Sequence, residues 1–528
     1  MRLGLRISRG SWRLLAALFL VSCSSLANPP RTNILMANQQ GNPLDPGPAF
    51  KPLDPTNYDE YIDKIFVDLA SYCADRKPCQ LLIYVHGGLN TYHESVKRSA
   101  LLAPQIRATG FYPIFVDWDS SLFSSWWDHV ANVHRGLWNP NYRFLAPYFA
   151  AVDEVDGVAK APAGWLTELR HTFPPVGEHS NLQRKAMVAY LDMLANPNVT
   201  VNDISVGSEI ADNRARSEKV LPYLWSPITG LVKVVTTPLL IQAAGGGAWD
   251  IMQRRAAMLF RTEQAFSGWR LNNEAALAHF VTRFQHDFLP QFCFSHSYTP
   301  PPWRMRQNAL AAPKPQEDSK LGCESDLQLT LIGHSMGAII VDQLLRYAPN
   351  IQVKNIVFMA AATTVEDYRE TVHQYLLRQR DLPGKATPTQ VYHLVLHPTA
   401  EVFKEEWFGL PPRGSLLIWI DNYFSNPVTP LGRTVGRFLN LFPEIASPDN
   451  GETLNNLHGQ IHVKVFRFGR SCHCWNPQGH GDFGSFPFWD PRFWDPTVPT
   501  DDRAPYVRWD EEGCRASGGN PQCRNEEP

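Results

Sequence analysis

The sequence predicts an α/β protein, a mostly parallel sheet flanked by helices, with a large helical cap insertion. Two observations carry that expectation. Apolar runs of strand length at 80–85 (QLLIYV), 112–118 (YPIFVDW), 327–332 (LQLTLI), 355–360 (NIVFMA), 391–396 (VYHLVL) and 462–468 (HVKVFRF) are separated by helical patterns. Strands joined through helices line up in parallel. Between the second and third runs lies the stretch 119–261, far longer than an ordinary connection and dominated by helical patterns and apolar segments.

The chain opens with Arg2, Arg6, Arg9 and Arg13, followed by the apolar run 14–21. These are the charged and hydrophobic regions of a signal peptide, too short to span a bilayer. The run ends Leu20-Val21-Ser22-Cys23, which resembles a bacterial lipobox. That resemblance implies removal of 1–22, diacylation of the Cys23 sulfur and, with Ser24 rather than Asp next, an outer-membrane anchor facing the periplasm or the cell surface. The Pro- and Asn-rich 23–61 then reads as a tether, and a helix is expected at 62–70.

The strand at 80–85 runs into His86-Gly87-Gly88-Leu89-Asn90, and a helix at 94–109 ends at Gly110 before the strand at 112–118. In the insertion, the apolar run 224–244 contains Pro227, Lys233 and Pro238, which argue against a spanning helix. Gly245-Gly246-Gly247 is expected to break that run and a helix to resume at 248–260. The insertion reads as a lid that lines an acyl pocket or touches lipid, or else as a cap subdomain burying its own core. A helix is expected at 275–288, then a Pro-rich polar loop at 300–318.

The run 327–332 leads into Gly333-His334-Ser335-Met336-Gly337, after which Ile339, Ile340, Leu344 and Tyr347 recur at helical spacing. Strand, sharp turn, helix is the context in which G-x-S-x-G lifts a serine hydroxyl above a sheet edge, at the positive end of a helix. The strand at 391–396 ends in His397-Pro398-Thr399-Ala400-Glu401, and a helix is expected at 415–424. The last strand is followed by Gly479-His480-Gly481-Asp482-Phe483. The segment 485–528, rich in Trp, Pro and Asp, is expected to wrap the surface as a disulfide-stapled tail.

With a strand-to-His-Gly-Gly turn ahead of G-x-S-x-G, the chain over 80–483, apart from the insertion, resembles the α/β-hydrolase family. The resemblance implies an α/β-hydrolase core of 62–118 and 262–484. It also implies the order Ser, acid, His, the acid after the penultimate strand and the His after the last. Ser335 takes the nucleophile position, His480 the base and Glu401 the acid, with Asp421 and Asp367 as alternative acids. His473 is hemmed in by Cys472 and Cys474, and His462 opens its strand at the wrong end. The oxyanion donors would be the N–H of Met336 and that of Gly88 or Leu89; His86 is expected to be structural. In the family a lid more often follows the strand after the elbow, so the substrates of the better-known lipases do not transfer.

Lys+Arg number 49 against 51 Asp+Glu, with no basic stripe, so nucleic acid is not an expected partner. Of 9 cysteines, Cys23 is set apart as the lipidation site. The rest are even in number, which in an exported chain reads as disulfides. Cys73–Cys79 and Cys293–Cys323 are the expected pairs, with Cys472, Cys474, Cys514 and Cys523 pairing among themselves. The competing reading is a metal at Cys472-His473-Cys474 and His480, which lacks the two-residue gap of common zinc sites. No metal or organic cofactor is expected. The expected activity is that of a lipid-anchored serine hydrolase cleaving carboxylic esters, lipid or acyl. Thioesters and amides stay open, because the triad is the same and only the pocket differs. The competing class is a non-catalytic envelope lipoprotein that uses the scaffold for binding.

Overall fold

Strands that read as near-continuous apolar runs, rather than as alternating ones, belong in a sheet covered on both faces. All six runs find such places. The computed structural model describes residues 33–134, 137–172, 199–201, 243–261, 275–300, 326–380, 387–403, 414–425, 427, 429–441, 460–466, 474, 476–495, 508 and 509. The signal peptide, Cys23 and the loop at 301–318 lie outside them, as do Cys323, Cys472, His473, Cys514 and Cys523.

The strands are β1 (Ile34–Ala37), β2 (Pro43–Leu44), β3 (Cys79–Val85), β4 (Phe111–Trp118), β5 (Val133–His134), β6 (Leu137–Trp138), β7 (Val199–Val201), β8 (Leu327–His334), β9 (Asn355–Met359), β10 (Gln390–Val395) and β11 (Ile461–Val465). Among the described residues nine form one sheet in the order β2-β1-β4-β3-β8-β9-β10-β11-β7, in which only the β1–β2 pair is antiparallel. All eight residues of β4 are buried. The expected α/β class, with its mostly parallel sheet, is therefore observed. The order places β8, which carries the G-x-S-x-G turn, directly beside β3, which carries His-Gly-Gly.

The expected tether does not extend through 33–61. Ile34–Ala37 lie in the core as β1, and helix α1 (Pro55–Cys73) starts at Pro55 rather than at 62. Asp54 caps α1 by accepting from the Asn57 N–H at 2.9 Å, and Pro55 fits the first turn, where no N–H is needed. Tyr58, Ile62, Ile65, Phe66, Leu69 and Cys73 make its buried face. Phe66 sits among Phe280, Phe284, Phe288 and Tyr298, with ring centroids 5.5, 6.2, 5.0 and 5.3 Å away. The Cys73–Cys79 disulfide joins the end of α1 to the start of β3, as expected. Cys293 and Cys474 are also disulfide-bonded.

Within the insertion, helix α2 (Leu122–Ala131), helix α3 (Ala146–Thr172) and helix α4 (Ala243–Met258) pack together. The insertion is not purely helical, since β5 and β6 pair and β7 lies parallel to β11 at the sheet edge. Nor do the three glycines break the chain: α4 runs through them. A side chain at Gly245 would strike the Phe424 ring and one at Gly247 the His129 ring. Glycine weakens a helix by roughly 1 kcal/mol relative to Ala, and here it lets two rings pack against the helix. Arg255 pins α4 to α2. It is 2% exposed and donates to the Asp119 carbonyl (3.0 Å), Ser124 Oγ (3.0 Å), Ser125 Oγ (2.9 Å) and Asp128 Oδ2 (2.6 Å). No helix among the described residues is long and apolar enough to cross a membrane.

The expected surface tail also departs from the sequence reading at its start. Phe486, Phe488, Phe493 and Trp494 are buried in the main core.

Candidate active site

Ser335 follows the C-terminal end of the central strand β8 with φ 53°, a left-handed backbone that is strained for a residue with a side chain. The strain is held by hydrogen bonds on both sides. Ser335 N–H donates to the Met359 carbonyl at 2.9 Å, and the Ser335 carbonyl accepts from Ala338 N–H at 3.1 Å and Ala362 N–H at 3.0 Å. The helix beginning at Gly337 continues to Tyr347, and its N-terminal end faces the Ser335 turn.

The segment from β11 brings His480 back across the sheet. Its Nε2 lies 2.7 Å from Ser335 Oγ, between residues 145 apart in sequence. Ser335 is 1% exposed and His480 6% exposed. Burial, and then the neighbouring His334, hold the His480 imidazole well below the usual histidine range, so it is neutral. With Nε2 facing the hydroxyl, the ring's proton sits on Nδ1. That Nδ1 has no hydrogen-bond partner among the described residues.

None of the three candidate acids fills that place. Glu401 follows β10 in helix α5 (Pro398–Phe403) and is buried, but its Oε2 faces Arg437 Nε at 3.4 Å and its Oε1 has no partner among the described residues. Burial pushes Glu401 up to about 8, against the pull of Arg437. Asp421 takes the stronger bond to Arg437, at 2.6 Å, and accepts from Thr434 N–H and from Asn440. Asp367 lies at the surface, paired with Arg346 at 2.8 Å. Among the described residues the expected triad is seen as a Ser335–His480 pair, and Glu401 and Asp421 both face Arg437.

The His-Gly-Gly turn packs under Ser335. A side chain at Gly87 would come within 2.8 Å of Ser335 Cβ, so only glycine allows the approach. His86 braces the turn, as expected: Trp118 N–H donates to its Nε2 at 3.2 Å, and its Nδ1–H donates to the Gly87 carbonyl at 2.7 Å. Leu89 N–H is taken by the Ser120 carbonyl at 2.8 Å. Among the described residues the N–H groups of Gly88 and Met336 have no acceptor. A side chain at Gly88 would approach Met336 Sδ at 3.0 Å and Met252 Sδ at 3.8 Å. Met252 belongs to α4, so the insertion roofs this loop.

A short segment near the C-terminus clasps the His480 loop. Arg508 N–H donates to the Cys474 carbonyl (3.0 Å), Trp509 N–H to the Ser485 carbonyl (2.9 Å) and Trp509 Nε1 to the Gly484 carbonyl (3.1 Å). Because Cys474 is disulfide-bonded and His480 faces Ser335, two members of the Cys/His cluster already have other partners. The sequence carried no signal for this clasp, for Arg255 or for Met252, because none belongs to a local pattern.

Compared with known proteins, the chain matches no family model, no curated protein and no solved structure.

Proposed function

We propose that the protein is a serine hydrolase of α/β-hydrolase type that cleaves carboxylic esters, lipid or acyl, through an acyl-enzyme. The observation that carries this reading is the 2.7 Å approach of His480 Nε2 to Ser335 Oγ on a strained turn. A serine hydroxyl is weakly nucleophilic and needs a neighbouring base. As the Ser335 Oγ–carbon bond forms, the hydroxyl proton passes to His480 Nε2. The carbonyl oxygen becomes an oxyanion, facing the N–H groups of Met336 and Gly88. Nε2 then protonates the leaving alcohol oxygen as the carbon–oxygen bond breaks. Water repeats the sequence: its oxygen bonds to the acyl carbon as its proton passes to Nε2, and Nε2 returns that proton to Ser335 Oγ as the carbon–Oγ bond breaks and the acid departs. The residues assigned to the steps need no cofactor.

Apolar surroundings support an acyl substrate. Met252 and Met336 flank the oxyanion loop, Leu89 is exposed beside it, and Phe123, Trp127, Phe144 and Tyr148 are exposed on the insertion. In this reading the insertion is a helical lid, and Cys23 carries the lipid that anchors the protein to the outer membrane. Labelling with a serine-reactive fluorophosphonate tests the chemistry. The wild type should label at Ser335 and Ser335→Ala should not; an unlabelled wild type points to the non-catalytic reading. Incorporation of radiolabelled palmitate that disappears in Cys23→Ser tests the anchor.

A further inference from the structure

His334, the residue before the nucleophile, has no part in the steps above. Its ring lies between both loops of the site. Its Nε2 is 3.0 Å from the backbone carbonyl of His480, and a carbonyl only accepts, so the ring's proton is on Nε2. Its ring stacks on that of His480, with centroids 5.5 Å apart and planes at 30°. On the other side, a side chain at Gly87 would lie 3.1 Å from His334 Nδ1, so the His-Gly-Gly turn closes over the ring. His334 is buried, and Nδ1 has no partner among the described residues.

We propose that His334 is a positioning residue, which holds the His480 loop through its Nε2–H bond to the His480 carbonyl at the distance where His480 takes the Ser335 proton. The proposal rests on the serine-hydrolase reading. His334 is the last residue of β8 and directly precedes Ser335. A bond from its side chain therefore refers the base to the same rigid strand that carries the nucleophile. The loop needs such a reference, since His480 opens a six-residue 3₁₀ turn that no side chain caps. No carboxylate among the described residues orients the ring from Nδ1, so the backbone bond and the stacked His334 ring take up that task on the side away from Ser335. Burial pushes His334 down to about 4, so near neutral pH it places no charge beside the imidazolium that forms on His480.

The test uses three variants of the full-length protein. His334→Gln puts an amide N–H close to the place of Nε2–H. His334→Asn is too short to reach the carbonyl, and His334→Leu has no donor. Fluorophosphonate labelling rate, kcat and KM on a short-chain p-nitrophenyl ester, and Tm are measured for each. His334→Gln should stay within about fivefold of wild type in kcat and labelling rate. His334→Asn and His334→Leu should fall roughly tenfold to a hundredfold in both, since a misplacement of about 1 Å can cost that much. Their KM should change less than about twofold, because binding is not what is lost. A His334→Leu variant that labels as fast as wild type overturns the proposal. So does a His334→Gln variant that is as slow as His334→Leu or does not fold, because it keeps the donor. A wild type that does not label at Ser335 sinks the hydrolase reading and this proposal together.

Discussion

In the proposed hydrolase Ser335 and His480 act as a unit, so removing either should cost nearly as much as removing both. We expect Ser335→Ala and His480→Ala each to lower kcat by at least about a thousandfold at unchanged Tm. Substantial turnover in His480→Ala would move the base elsewhere. The base works only when neutral, and burial holds His480 well below the usual histidine value. The acid limb of the labelling rate should therefore have its midpoint below pH 6.5. A midpoint at or above that value contradicts the buried geometry. For the carboxylates, Asp367→Asn should leave kcat unchanged, since the group pairs with Arg346 and Thr364 rather than with His480. Asp421→Asn should cost about 3–5 kcal/mol of stability, because it takes the closest charge from buried Arg437. Glu401→Gln should change stability little and keep more than about a tenth of kcat. A collapse of kcat at unchanged Tm would make Glu401 the third member of the triad. At this scale the sequence revealed what local pattern encodes: the serine in its turn, the glycines under it, a histidine after the last strand. It did not reveal where Glu401 points. That depends on Arg437, some 36 residues further on, which no spacing rule connects to β10.

Among the elements, the joint between α2 and α4 depends on one buried guanidinium. Arg255→Gln should leave Asp119 and Asp128 without their shared cation and cost about 3–5 kcal/mol. Urea unfolding would read that loss, and a change under about 1 kcal/mol would show that the joint is held by apolar contacts instead. The strands of the sheet were legible because a buried parallel strand is written as an apolar run. The short β1 and β2 were not, since their neighbours are rich in Pro and Asn, which also mark flexible chain. The Gly245–Gly247 run misled for a related reason. Composition marks glycine as a breaker, whereas the rings of Phe424 and His129 need the space that glycine leaves.

Across the whole molecule, buried titrating groups set opposite limits on stability. His86 and His373 are held down to about 4 and His393 to about 3 by burial, so the unfolded chain binds protons there that the fold does not. Stability from these groups is full above about pH 6.5 and is lost as pH falls toward 4. Asp117 and Asp342 are pushed up to about 7 by burial, so their contribution is present at low pH and is lost as pH rises through about 7. Tm should therefore peak at about pH 6–7 and decline on both sides. A Tm that rises steadily from pH 6 to 9 would show that these carboxyls are ionised in the fold without penalty. The α/β layering was legible in the alternation of runs. The clasp on the His480 loop was not, because it joins groups distant in sequence, two backbone N–H and one indole N–H, that belong to no motif.

That clasp has a consequence for the order in which the protein comes into being. A ribosome makes Ser335, the His-Gly-Gly turn and His480 before it makes Arg508 and Trp509, whose bonds to the carbonyls of Cys474, Gly484 and Ser485 fasten the His480 loop. A growing chain thus carries all of these groups while the His480 loop has the His334 bond but not yet the clasp.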